Sequence, residues 1–187
     1  MSKYNISDDI EYVMISSKEI DTLVKKIADQ IDNDYPDPES KLLLLCILKG
    51  SICFTGDLMK VIKRPVEVDF MKVSSYGAGT SSSGNVTILL DLNRNDIKDL
   101  DIVIIEDIID SGRTMSYLTE YLRLKGARSV KVAALLDKPS RRTTEFEANY
   151  IGEVIEDKFV VGYGLDYDEK YRALPYVGVL KPAVYTK

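Results

Sequence analysis

Apolar positions follow two different periods along the chain. "SSKEIDTLVKKIADQI" opens with a capping-box spacing, Ser16 to Glu19, and then sets Ile20, Leu23, Val24, Ile27 and Ile31 on one helical face. "KLLLLCIL" (41–48) is a continuous apolar run, as expected of a strand covered on both faces. "YPDP" at 35–38 reads as the loop between them, and a helix is expected from about Ser51 to Lys63. "RPVEVDFMKV" alternates at Val66, Val68 and Phe70, and "VTILL" and "DIVII" (101–105) continue the strand series. The next helix turns Met115, Leu118, Tyr121 and Leu122 inward and stops at Gly126. "SVKVAALL" (129–136), "NYIGEVI" and "FVVGYGLDY" read as later strands. Strands alternating with helices predict an α/β fold with a mainly parallel twisted sheet flanked by helices. No internal repeat or boundary divides the 187 residues, so a single domain over 1–187 is expected.

Residues 74–85, "SSYGAGTSSSGN", break this pattern. Their Gly and Ser content cannot build a core, which predicts a mobile surface loop. The composition is otherwise that of a soluble globular protein, with 45% hydrophobic and 29% charged residues. A formal charge of −5 argues against a nucleic-acid partner, so any bound phosphate must be held by local geometry. The chain has no histidine; proton transfer near neutral pH falls to a carboxylate, Lys, Tyr or Cys. Cys46 and Cys53 lie in apolar surroundings and read as reduced thiols. With no apolar leader and no run of membrane length, a cytoplasmic protein without a membrane partner is expected.

Ligands of open α/β sheets sit beyond the carboxyl ends of strands, and unusual residues cluster at such ends here. They are Lys49-Gly50, the acidic turn at 106–110, and Lys138. "DSGRT" (110–114) opens a helix with successive backbone N–H groups and two hydroxyls, a nest for phosphate or, by itself, an ordinary capped turn. Glu106 and Asp107 favour the nest. At a frayed strand end both can bend toward one ligand, and their hard oxygens suit sugar hydroxyls or Mg²⁺.

"VIIEDIIDSGRTM" resembles the phosphoribosyl diphosphate signature of type I phosphoribosyltransferases. "LKGS", "VDFMKVSSYGAGTSSSG", "LLDKP" and "DKFVVGYGLDYDEKYRALPYVGVLKP" extend the resemblance, from about residue 10 onward, to the bacterial hypoxanthine-guanine branch. The resemblance implies a small hood formed by the terminal segments and a lid over 74–85, with Ser75 and Tyr76 touching the reacting centre. It implies transfer of ribose 5-phosphate from phosphoribosyl diphosphate to N9 of hypoxanthine or guanine, giving IMP or GMP and pyrophosphate, in a homodimer or homotetramer. Glu106 and Asp107 would hold the ribose hydroxyls and Mg²⁺. Asp110, Ser111, Gly112, Arg113 and Thr114 would cradle the 5′-phosphate, with Ser111 where many relatives carry Thr. Lys49, Gly50 and Arg172 would receive pyrophosphate, and the bond before this Lys is often cis. Asp166 would ligate a second Mg²⁺, Lys138 would donate to the 6-oxo group and Phe159 would stack on the base. Main-chain carbonyls near Val160 and Asp166 would accept from the purine, and Asp110 would take or share the N7 proton. Arg141-Arg142 have no firm role in the pattern and read as a solvated basic pair.

Two alternatives remain open on this reading: a xanthine-preferring transferase, and a non-catalytic regulator that senses phosphoribosyl diphosphate. A regulator should lack the Asp110 base or show a basic face, whereas this chain keeps Asp110 at a net charge of −5. A P-loop NTPase is ruled against because no G-x-x-x-x-G-K-[ST] occurs.

Overall fold

The computed structural model describes residues 5–75 and 86–186. Strand β1 (Ile10–Ile15) leads into helix α1 (Ser17–Asp34). The Ser16 hydroxyl caps the Glu19 N–H, and the Glu19 carboxylate returns to the Ser16 N–H at 2.8 Å, so the expected capping box starts α1. Strand β2 (Lys41–Leu48), helix α2 (Ile52–Val61), β3 (Glu67–Ser75) and β4 (Val86–Leu90) follow. Next come β5 (Leu100–Ile109), α3 (Arg113–Leu124), β6 (Ser129–Asp137) and β7 (Tyr150–Val154). The short β8 (Val160–Val161) and β9 (Val177–Leu180) precede α4 (Pro182–Tyr185).

Six strands form one sheet in the order β4-β3-β2-β5-β6-β7. Every neighbouring pair is parallel except β3 with β4. The period of two along β2 splits the core between the faces of the sheet. Leu42 and Leu44 pack with Ile20, Ile27, Phe54 and Leu58 on the α1–α2 side. Leu43, Leu45 and Ile47 pack with Met115, Leu118 and Leu122 on the α3 side. Each fully buried Leu contributes about 1.5–3 kcal/mol, so this one strand anchors both layers.

The chain leaves β2 toward β3 on one side and resumes at β5 on the other. The carboxyl ends of β2 and β5 therefore flank the point where strand order reverses, where a crevice opens in such sheets. A second, antiparallel sheet in the order β1-β9-β8 is built from the terminal segments.

Three expectations change. "DIVII" does not end at Ile105: β5 runs on to Ile109, pairing Glu106 with Ala134 and Ile108 with Leu136 of β6. "FVVGYGLDY" keeps only Val160–Val161 as strand, because Gly162, Tyr163 and Gly164 all take positive φ and turn the chain. The alternation in "RPVEVDFMKV" leaves Phe70 exposed at 40%, with Met71 the buried residue. Cys46 is buried, Cys53 is half-buried, and both are free thiols as expected. No helix among the described residues is long and apolar enough to cross a membrane. The lid expected over 74–85 lies outside the described residues except at Ser74 and Ser75, which end β3; Tyr76 lies outside them.

Candidate active site

Because β5 continues through the acidic pair, Glu106 and Asp107 keep opposite faces as a strand requires. They do not both bend toward one ligand as expected of a frayed end. Glu106 lines a cavity of about 530 Å³ together with Asp110, Ser111, Gly112 and Thr114. Asp107 turns to the end of β2, and its Oδ2 lies 1.6 Å from where a Cβ on Gly50 would stand. A side chain at residue 50 would displace the Asp107 carboxylate from this position. The Asp107 Oδ1 accepts from the Ile108 N–H at 2.8 Å, which holds the carboxylate against the Lys49-Gly50 turn. The Leu48–Lys49 peptide is cis.

Burial pushes both carboxyls up. Glu106 is held well above the usual carboxylate range by burial and by the charge of Asp107. Asp107 is pushed up to about 6, mainly by burial, although its backbone hydrogen bonds and Arg172 oppose the shift.

All of the "DSGRT" turn except Arg113 lines the 530 Å³ cavity. Gly112 sits at the N-cap of α3 with φ 79°, where a Cβ would come within 2.9 Å of Arg142 Cδ, so both conformation and space demand glycine. The first N–H groups of α3 have no acceptor within the helix and, with the helix dipole, favour an anion. Arg142 holds this turn from outside. Its Nη1 donates to the Asp110 carbonyl at 2.7 Å, its Nη2 donates to Asp137, and the Thr143 N–H donates to the Ser111 carbonyl at 3.1 Å. Arg142 is thus a largely buried tether and not the solvated residue expected; its side chain is 16% exposed. Arg141 is exposed, as expected, and pairs with Asp157 at 2.7 Å.

A second cavity of about 290 Å³ shares Ile108, Asp110 and Arg141 with the first. Lys138, Phe159, Val160 and Asp166 line it, so four expected residues from two distant segments converge there. Lys138 is buried; its Nζ donates to the Lys158 carbonyl at 2.6 Å and stands 3.9 Å from Asp110 Oδ1. Burial draws the Lys138 pKa below its ordinary value while Asp110 opposes that shift. Phe159 stacks on Tyr185 with ring centroids 4.8 Å apart and meets Tyr167 edge-on at 5.5 Å. Tyr185 is a lining residue that no sequence pattern signalled.

Asp166 joins this cavity to a cationic cluster. Its Oδ1 lies 2.8 Å from Arg172 Nη2, and Arg172 Nη1 donates to the Gly164 carbonyl at 2.7 Å. The Nε of Arg172 is buried without an acceptor among the described residues. Lys49 approaches the same cluster, with its Nζ 2.9 Å from Glu169. Glu106, Asp110, Ser111, Gly112 and Thr114 thus line the larger cavity and Asp110, Lys138, Phe159, Val160 and Asp166 the smaller, whereas Arg113 faces a third, beside Thr87 and Tyr117. Among the described residues, no three Asp, Glu, Cys or His side chains converge as a metal cage.

The family model described as a phosphoribosyl transferase domain matches residues 16–168. A hypoxanthine-guanine phosphoribosyltransferase of Bacillus subtilis is 51% identical, covering 95% of this chain and 97% of its own length. The chain belongs to the hypoxanthine-guanine phosphoribosyltransferase family. A hypoxanthine phosphoribosyltransferase structure from Staphylococcus aureus matches with TM-score 0.92 at 43% identity, covering all of both chains. A Trypanosoma cruzi hypoxanthine phosphoribosyltransferase variant in a ternary substrates complex matches with TM-score 0.88 at 39% identity, covering 95% of this chain and 99% of its own. The protein is accordingly a transferase with the type I phosphoribosyltransferase fold.

The raised Asp107 carboxyl of this transferase has a consequence for stability. A carboxyl whose folded pKa exceeds its unfolded one favours the folded state fully below the unfolded value, and that contribution is lost as pH rises through the folded value. For Asp107 the window runs from 3.8 to about 6. In metal-free buffer at pH 7.5, Asp107→Asn should therefore melt above the wild type. The limit is about 3 kcal/mol, or several degrees. At pH 4 the two should nearly coincide. Thermal melts at both pH values check this, and equal melting at pH 7.5 would show that the carboxylate is not strained by burial.

Proposed function

We propose that this transferase moves the 5-phosphoribosyl group from phosphoribosyl diphosphate to N9 of hypoxanthine or guanine, releasing pyrophosphate. The observation that carries it is the pair of cavities that meet at Asp110, with Lys138 3.9 Å away across the smaller one. A phosphate seated on the 110–114 turn and a purine beside Lys138 place the ribose between them, in reach of Glu106. The hypoxanthine-guanine relatives support the same substrates.

Displacement at the anomeric carbon develops oxocarbenium character. Ser111, Gly112, Arg113 and Thr114 orient the 5′-phosphate through backbone donors and hydroxyls. Lys138 donates to the purine 6-oxo group and rejects adenine, whose amino group offers no acceptor there. Phe159, braced by Tyr185, presents an aromatic surface to the base, and carbonyls near Val160 and Asp166 accept from its N–H groups. Asp110 accepts the N7 proton, while Lys49, Gly50 and Arg172 receive the pyrophosphate.

Glu106 from the phosphate-cavity side, Asp107 from the Gly50 side and Asp166 nearer the pyrophosphate would hold Mg²⁺ between protein and substrate, each separately and, among the described residues, not as one cage. Their hard carboxylate oxygens, those of Glu106 and Asp107 also pushed toward protonation by burial, suit an ion that takes few protein ligands and keeps water and phosphate. When bound, Mg²⁺ supplies charge neutralisation on the leaving diphosphate. Ser75 and Tyr76 are proposed to cover the reacting centre. A cytoplasmic homodimer or homotetramer is the proposed working form, and a Trypanosoma cruzi relative has been studied for how its C-terminal region affects oligomeric state.

Initial rates with hypoxanthine, guanine and xanthine, each with phosphoribosyl diphosphate and Mg²⁺, test the proposal. Nucleotide should form with the first two, whereas a preference for xanthine or no nucleotide at all would overturn it. Lys138→Ala should raise KM for both purines by roughly ten- to a hundred-fold, the value of a lost charge-assisted hydrogen bond. KM for phosphoribosyl diphosphate should stay nearly constant. An unchanged purine KM would place Lys138 outside the base site.

A further inference from the structure

Lys49 and Arg172 reach the strand ends from segments far apart in sequence, yet one carboxylate serves both. Glu169 Oε2 lies 2.9 Å from Lys49 Nζ and 3.4 Å from Arg172 Nη2. The Glu169 carboxyl is held below its usual range, chiefly by the hydrogen bond from Lys49. The backbone places it there against its own preference. Asp168 (φ 51°), Glu169 (φ 58°) and Tyr171 (φ 74°) all take left-handed conformations that cost a non-glycine residue of order 1 kcal/mol each. Tertiary contacts hold the turn. The Glu169 N–H donates to Asp166 Oδ2 at 2.9 Å, Tyr167 and Lys170 exchange backbone hydrogen bonds, and the buried Tyr171 donates its hydroxyl to Asp9 at 2.7 Å.

We infer that Glu169 is a positioning residue that stands in for pyrophosphate between Lys49 and Arg172 in the empty enzyme and must yield when the diphosphate binds. The inference rests on the transferase reading of this site. Arg172 is anchored chiefly by Asp166 at 2.8 Å, and the tethered Glu169 adds the bridge that holds the like-charged Lys49 beside it. A carboxylate carries one charge, whereas a diphosphate carries several, so the ligand displaces the stand-in. Because the contacts are exposed, with Lys49 50% and Glu169 65% accessible, the exchange is cheap and reversible. The residue then lowers affinity for both the diphosphate substrate and the pyrophosphate product, which favours product release.

The test compares wild type with Glu169→Gln and Glu169→Ala as full chains with Mg²⁺, using calorimetric titration of pyrophosphate and initial rates. Removing the charge should tighten pyrophosphate binding by roughly three- to tenfold in both variants and lower KM for phosphoribosyl diphosphate in parallel. KM for hypoxanthine and the melting temperature should stay constant. The wild-type difference should shrink at high salt as the internal ion pairs are screened. Unchanged or weaker pyrophosphate binding in the variants would overturn the inference, as would tightening in the glutamine variant alone. A wild type that makes no nucleotide would instead refute the transferase reading, since the titration needs no turnover.

Discussion

Asp110→Asn is expected to lower kcat by about 10²–10⁴ while leaving KM nearly unchanged, the usual cost of removing a general base. Asparagine keeps the shape of the side chain but cannot take a proton. Asp110 is exposed, lines both cavities, and has its carbonyl held by Arg142 at 2.7 Å, so the substitution should leave the phosphate turn in place. With no histidine in the chain, no imidazole can replace the lost base. Lys138, 3.9 Å away, is a donor already engaged with a carbonyl. The deficit should be smaller for purine analogues whose N7 proton is more acidic. Steady-state rates across such analogues check this; an equal loss for every base would assign Asp110 an electrostatic role instead.

Removing divalent cations is expected to abolish turnover. The pyrophosphate leaves with more negative charge than Lys49 and Arg172 can balance, and Asp166, 2.8 Å from Arg172, neutralises part of theirs. Glu106 and Asp107 point the same way: burial pushes both carboxyls toward protonation, and Arg172 offsets that only in part at Asp107. Rates measured in excess chelator, then with Mg²⁺ restored, decide the matter. Undiminished turnover in chelator would remove Mg²⁺ from the mechanism. Below about pH 6, where Asp107 protonates, the Mg²⁺ concentration needed for half-maximal rate should rise, because protons and the cation compete for the carboxylate.

Much of the architecture was legible because its causes are local. The capping box at Ser16 and Glu19, the doubly covered run at 41–48, and the glycine-dependent turn at 110–114 are set by side-chain period and turn chemistry over a few residues. The resemblance carried by the acidic signature and by residues 157–182 supplied the site residues, and the fold brings Asp110, Lys138, Phe159, Val160 and Asp166 to one cavity. What the pattern missed depends on partners distant in sequence. β1 becomes a strand by pairing with β9, some 165 residues later, and neither end shows its partner. Continued pairing of β5 with β6 keeps Glu106 and Asp107 on opposite faces, which no frayed-end argument could foresee.

Arg142 looked solvated because its acceptors, the Asp110 carbonyl and Asp137, lie on other elements. The same holds for Glu169, which meets Lys49 across 120 residues only after the β2 turn and the left-handed turn at 168–171 are both in place. Residue type and spacing determined which chemistry this chain can perform, since they fix charge, turn and period locally. The tertiary structure alone decided which charges face one another, because burial and pairing arise only when distant segments pack.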